Sequence, residues 1–206
     1  RLCVYQLDSE ALQKLEAYFG TNTELRKKAL CTPVTREETI GKLIDITEQL
    51  DRDLKAYQRD NIMRKLPHCM DGAVPSRRKV IYTARNVFGS SNSEMKVNAF
   101  VNETSKSTNY HHGESSLAGT VTKMAQEFPG ARHLPFLRPQ GQFGTRSNGG
   151  KDSADPRYTF TQLNKKLCFA IFPKDDDFLL KYVFDDGDRC EPEFYVPVIP
   201  LAILEN

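Results

Sequence analysis

Through its first 130 residues the chain sets apolar side chains three and four positions apart, the spacing of one face of an α-helix. Ala11, Leu12, Leu15 and Tyr18 form such a stripe, with Asp8 and Ser9 placed to cap its start and Gly20 to end it. Asn22 or Thr23 then opens a short basic helix that ends near Cys31, where Pro33 breaks it. Thr35-Arg-Glu-Glu38 reads as a capping box leading into a long amphipathic arm marked by Ile40, Leu43, Ile44, Thr47, Leu50, Leu54 and Tyr57. A turn-like HCMDGAV follows Pro67. Ser76 is placed to cap a helix over Arg77–Arg85 that buries Val80, Ile81, Ala84 and Val87 and ends at Gly89. Two further helices are expected, around Lys96–Thr104 and Glu114–Phe128, joined by a polar, glycine-containing stretch from Ser107 to Gly113. That pair resembles a helix-turn-helix.

From Pro129 to Gly150 the pattern changes. Eight Pro and Gly residues interrupt short apolar pieces such as Leu134–Leu137, which predicts a β-hairpin or wing in place of helix. A helix from Thr161 to Phe172, an acidic turn at Asp175–Asp177, and strands around Leu179–Phe184 and Tyr195–Ile199 complete the chain. The expected class is α+β: a winged helix, with a helical segment before it and short strands after.

Composition alters this picture in one place. The 206 residues carry 29 Lys+Arg against 27 Asp+Glu, a net charge of only +2. Residues 1–60 hold 10 basic and 11 acidic side chains, residues 61–160 hold 14 and 7, and residues 161–206 hold 5 and 9. The middle third is therefore +7, between flanks of −1 and −4, which fits equally a surface that meets phosphates and a solvated basic face of no function. No apolar run approaches the roughly 20 residues of a membrane helix, and the N-terminus has no apolar h-region. Five Cys without a C-x-x-C pair predict reduced thiols in an intracellular compartment, with no disulfide framework and no zinc site.

The candidate chemistry lies in the basic third. Gly149-Gly-Lys-Asp152 suggests a P-loop, but Thr145 stands where the first Gly is required and Asp152 replaces the magnesium-binding Ser/Thr. A glycine-rich backbone beside Arg146 and Lys151 still lets amide groups approach a phosphate closely. Lacking Cys or carboxylate partners at metal spacing, His111 and His112 read as loop polar groups or phosphate contacts. They precede the Glu114 helix with Ser115 and Ser116, at the positive end of its dipole. Tyr158 follows the basic loop directly. A phenol ionises near pH 10 and needs cationic help to attack at neutral pH, and Arg157, always protonated, serves as charge stabiliser and not as base.

Six blocks carry a resemblance. Asp71-Gly-Ala-Val-Pro-Ser-Arg-Arg-Lys-Val80, Tyr110-His-His-Gly-Glu-Ser-Ser-Leu117, Gly141-Gln-Phe-Gly-Thr-Arg146, Gly149-Gly-Lys-Asp152, Pro156-Arg-Tyr158 and Glu191-Pro-Glu-Phe-Tyr-Val-Pro-Val-Ile-Pro200 together resemble the breakage-reunion region of type IIA DNA topoisomerases. The wording is closer to the eukaryotic and viral topoisomerase II branch than to gyrase. The resemblance implies a reversible transesterification on double-stranded DNA, with Tyr158 forming a 5′-phosphotyrosyl link, Arg157 stabilising the transition state, and His112 and Arg64 as further catalytic residues. Arg77, Arg78, Lys79, His111, Ser115, Ser116, Arg146 and Lys151 are then DNA contacts. Departures from the family pattern are Val74 in place of Lys, Ser76 in place of Gly, and Asp155-Pro156 in place of a run of small residues.

The same resemblance implies that Mg²⁺ is held by a TOPRIM domain and ATP by an ATPase domain, neither within these 206 residues, and that this chain holds no metal. It divides the chain into a helical linker leading out of TOPRIM (1–52), a winged-helix breakage-reunion domain (53–172) and the beginning of a tower domain (173–206). It also implies a homodimer and a host-cytoplasmic or nuclear location according to a viral or cellular source. By itself the segment is expected to bind DNA weakly and not to cleave it. The alternative of another class is a non-catalytic winged-helix DNA-binding or architectural module.

Overall fold

The computed structural model describes residues 4–34, 43–131 and 134–205, so the capping box at Thr35–Glu38 and Ile40 lie outside the described residues. Two compact units are present, Arg1–Lys65 and Leu66–Asn206. The mixture of helices and small sheets is the α+β class expected from the sequence. Among the described residues no helix is long and apolar enough to cross a membrane.

In the first unit, strand β1 (Val4–Gln6) pairs in parallel with β2 (Leu43–Asp45), in the register Tyr5 to Ile44. Helices α1 (Ala11–Phe19) and α2 (Thr23–Cys31) lie between them in sequence. Asn22 caps α2 as expected, its side chain accepting from the amides of Glu24 and Leu25. The α1 stripe is narrower than predicted: Ala11 and Tyr18 are buried, but Leu12 is 69% exposed. The amphipathic arm is also revised. Leu43–Asp45 is strand, and helix begins only at α3 (Ile46–Gln49), continuing through a π-helical turn (Leu50–Leu54) into α4 (Lys55–Lys65). A π turn takes up an extra residue, so position i stacks on i+5 in place of i+4. Leu50 and Lys55 are accordingly the buried pair, while Tyr57 turns out to solvent. The Lys55 ammonium is satisfied by the Thr32 hydroxyl at 2.8 Å.

The second unit is built around α5 (Pro75–Phe88), α6 (Val97–Ser107) and α7 (Glu114–Ala125). Helix α5 starts earlier than expected, with Val74 at the N-cap and Pro75 at the first position. Proline suits that position because its missing N–H would be unpaired there in any case. Val80, Ile81, Ala84 and Phe88 of α5 pack against Phe100 and Val101 of α6 and Leu117, Val121 and Met124 of α7. Each of these side chains larger than Ala84 contributes roughly 1.5–3 kcal/mol on burial.

A three-stranded antiparallel sheet closes this core, with β5 (Phe160–Leu163) between β3 (Met95–Lys96) and β4 (Leu137–Gln140). With α6 and α7 it makes the expected winged helix. Thr161, predicted as helical, is instead central in β5, and the helix begins after Asn164, whose side chain caps α8 (Lys165–Ile171). A 3-10 turn (Lys174–Leu179) and a hairpin of β6 (Tyr182–Asp185) and β7 (Asp188–Pro192) follow; Tyr195–Ile199, predicted as strand, is not one. Tyr195 turns inward onto Phe172, their ring centroids 4.9 Å apart. Leu201 opens α9 (Leu201–Leu204) and is buried in the same core.

Candidate nucleic-acid site

The long connection from β4 to β5 carries Arg146, Lys151, Arg157 and Tyr158, and the structure shows what shapes it. Gly144 and Gly150 both have positive φ (101° and 75°) and approach so closely that a Cβ on Gly144 would lie 2.6 Å from the Gly150 Cα. Asp152 fastens the loop between them, accepting from the Thr145 amide and the Thr145 hydroxyl, each at 2.8 Å. These bonds hold the Asp152 carboxyl down at about 2. The two residues that depart from the P-loop pattern, Thr145 and Asp152, are thus partners of one another. Below the loop the buried amide of Gln126 donates to the carbonyls of Phe143 and Gly150, at 2.8 and 3.1 Å. Sequence reasoning misses Gln126; its only mark there is a polar side chain directly after the apolar Met124-Ala125. Arg146 and Lys151 project from this framework into solvent.

Tyr158 ends a tight turn. Its amide donates to the Asp155 carbonyl at 2.9 Å, which makes Asp155-Pro156-Arg157-Tyr158 a four-residue turn with Asp first and Pro second, residues suited to those places. Two main-chain bonds fix the turn to the start of α6: the Val97 amide donates to the Thr159 carbonyl (2.9 Å) and the Asn98 amide to the Pro156 carbonyl (3.2 Å). The Tyr158 side chain is 72% exposed. Arg157 lies beside it, its guanidinium carbon 5.8 Å from the phenol ring centroid, and is held by both oxygens of Asp155 at 2.9 and 3.3 Å. The same hydrogen bonds and charge keep the Asp155 carboxyl below its ordinary value.

The other candidates fall into three groups. His111, His112, Ser115 and Ser116 are exposed around the N-terminus of α7. There His111 Nε2 is 2.7 Å from Asp185 of the β6–β7 turn, and His112 stands edge-on to Tyr110. Arg77, Arg78 and Lys79, expected to face DNA, are instead turned inward. Arg77 is buried against Glu205, Arg78 is held by Asp71 at 2.8 and 3.1 Å, and Lys79 donates to Glu191 at 2.8 Å. A cation enclosed with a carboxylate offers little free charge to a phosphate. Arg64 belongs to the first unit, in the last turn of α4, with Asp60 at 2.9 Å. Among the described residues no three His, Cys, Asp or Glu side chains gather so that they could hold a metal ion.

Residues 64–206 match the family model that describes the A-subunit of DNA gyrase/topoisomerase IV. The chain belongs to the type IIA DNA topoisomerase family. Over 98% of its length this topoisomerase-family chain is 42% identical to DNA topoisomerase 2 of African swine fever virus (isolate Tick/Malawi/Lil 20-1/1983), of which it covers 18%. It is 37% identical over 97% of its length to DNA topoisomerase 2 of Arabidopsis thaliana, covering 13% of that protein. A solved structure, the DNA-binding, cleavage and re-ligation domain of Plasmodium falciparum topoisomerase II, superposes with a TM-score of 0.80 at 33% identity, over 98% of this chain and 28% of that one. The topoisomerase-family chain therefore spans less than a fifth of the curated relatives it matches.

Proposed function

We propose that this chain is the DNA-breaking and rejoining part of a type IIA topoisomerase, in which Tyr158 is the nucleophile and Arg157 its charge-stabilising partner. The observation that carries the proposal is the exposure of Tyr158 on a backbone-fastened turn with a guanidinium beside it. The phenol oxygen attacks a backbone phosphorus of duplex DNA. A Tyr–O–P bond forms, the P–O3′ bond breaks, and the 3′ oxygen leaves as a hydroxyl after taking up a proton. Phosphoester bond energy is retained, so religation is the same step reversed.

Ionising a phenol at pH 7 costs about 4 kcal/mol. The Arg157 guanidinium lies beside that ring, its carbon 5.8 Å from the ring centroid, and an opposite charge so placed acts far more strongly where water is excluded than in open solvent. Arg157 therefore works once bound DNA displaces water from around it. Arg146, Lys151, His111, Ser115 and Ser116 would track the DNA backbone, with His112 beside the scissile region and Arg64 as a further catalytic residue. Residues 1–52 would serve as linker, 53–172 as the breakage-reunion domain and 173–206 as the beginning of the tower. Two copies in a homodimer would cut opposite strands. ATP and Mg²⁺ would be held by other parts of the full-length protein, which would relax and decatenate DNA.

The test is supercoiled-plasmid relaxation by the full-length protein carrying Tyr158→Phe. Relaxation and covalent protein–DNA complexes are expected to disappear while DNA affinity stays within about twofold. Surviving relaxation would remove Tyr158 from the mechanism.

A further inference from the structure

The sequence sets an acidic residue where the family pattern has a run of small residues, two positions before the charge-stabilising arginine, and the structure gives its carboxylate three bonds and its carbonyl a fourth. Both Asp155 oxygens engage the Arg157 guanidinium from one side, through Nε at 2.9 Å and Nη2 at 3.3 Å. One of them also accepts the Arg157 amide at 3.0 Å, and the Asp155 carbonyl accepts the Tyr158 amide. Paired oxygens on Nε and Nη2 are the arrangement by which a guanidinium also takes a phosphate. Asp152 is the other carboxylate in the connection and is committed to Thr145.

We propose that Asp155 is a positioning residue for Arg157, its carboxylate standing in the DNA-free protein where a DNA phosphate later binds, so that DNA seats at Tyr158 by exchanging one anion for the other. This rests on the proposed function. The pair is open to solvent, with 67% of the Arg157 and 47% of the Asp155 side chain accessible, and exposed pairs of this kind resist separation by at most about fivefold. The exchange is therefore easily reversed. The exchange precedes bond-making, so the cost of separating the pair falls on the ground state and the transition state alike: Asp155 weakens DNA binding and leaves the chemical step unchanged.

The test uses the full-length protein and a duplex oligonucleotide, with Tyr158→Phe present in every variant so that binding is read without cleavage. Asp155→Asn keeps an acceptor for the Arg157 amide and removes the charge. It is expected to bind DNA about two- to fivefold more tightly at low salt, with a log-affinity against log-salt slope steeper by up to about 0.9. Both changes are expected to vanish when Arg157→Ala is added. With Tyr158 intact, Asp155→Asn should lower KM for plasmid and leave kcat within about twofold, a split that simple loosening of the turn would not produce. If thermal unfolding shows Asp155→Asn to be misfolded, Asp155→Ser, whose hydroxyl also accepts the amide, repeats the measurement. Unchanged affinity and slope, or a gain that persists without Arg157, would overturn the inference and leave Tyr158 as nucleophile. Relaxation surviving Tyr158→Phe would instead overturn the reading of the site, whatever Asp155 does.

Discussion

Truncating Arg78 to alanine separates two roles that the sequence alone cannot separate, a DNA contact and a strut inside the protein. Asp71 is fully buried and accepts four hydrogen bonds, from Arg78 Nε (2.8 Å), Arg78 Nη2 (3.1 Å) and the amides of Ala73 (2.9 Å) and Tyr195 (3.0 Å). The guanidinium also donates to the Ala73 carbonyl at 3.0 Å. Arg78→Ala leaves a buried carboxylate with two of its four donors and no counter-charge, a loss of about 3–5 kcal/mol. For a unit of this size the melting temperature should fall by roughly 10–20 °C. Circular dichroism melting checks the fall, and DNA affinity measured across salt concentrations below the variant's melting point checks the other role. A phosphate contact would show the reverse pattern, with stability unchanged within about 0.5 kcal/mol and a salt slope shallower by about 0.9. That outcome would refute the strut and return Arg78 to the DNA surface. Arg78→Lys keeps the charge but loses the two-pronged geometry, so its melting point should fall between the other two.

The glycine-rich loop and its acid clasp give two further predictions. Because the folded Asp152 carboxyl sits near 2 against an ordinary 3.8, its contribution is complete above pH 4 and is lost as pH falls from 3.8 toward 2. Protease nicking between residues 144 and 152 should therefore rise over that window, and Asp152→Asn should be nicked more readily than the parent at pH 5 and show little further rise as pH falls. Gly150→Ala puts a Cβ 2.3 Å from the Gln126 amide nitrogen at a φ of +75°. The strain should cost roughly 1–3 kcal/mol, read as a lower melting temperature together with faster hydrogen exchange in the loop.

Much of the second unit is legible in the sequence because its signals are local. The stripe on α5 and the polar joint between α6 and α7 both act within a few residues of sequence. What escapes depends on distant partners. Leu43–Asp45 is strand because Val4–Gln6 lies alongside it, some forty residues away. The cations of α5 read as a DNA-facing row, yet the carboxylates that enclose Arg77 and Lys79 come from Glu205 and Glu191, more than a hundred residues on. Thr161 reads as helical because four alternating residues are too few to display a period of two, although Asn164 marks the true start three positions later. The stripe ending at Tyr57 fails for a geometrical reason, since the π turn at Leu50–Leu54 shifts the buried face by one residue.

The attachment of the Tyr158 turn to α6 has a consequence for how this protein can be mapped by mutation. Its two fastenings run from the Val97 and Asn98 amides to the Thr159 and Pro156 carbonyls, atoms that every ordinary residue possesses. Alanine scanning reads side chains and passes over both bonds. A survey of Asn98 would thus record a permissive surface position at a point that holds the Tyr158 turn in place. Asn98→Pro, which deletes the donor itself, is the substitution that would make the constraint visible.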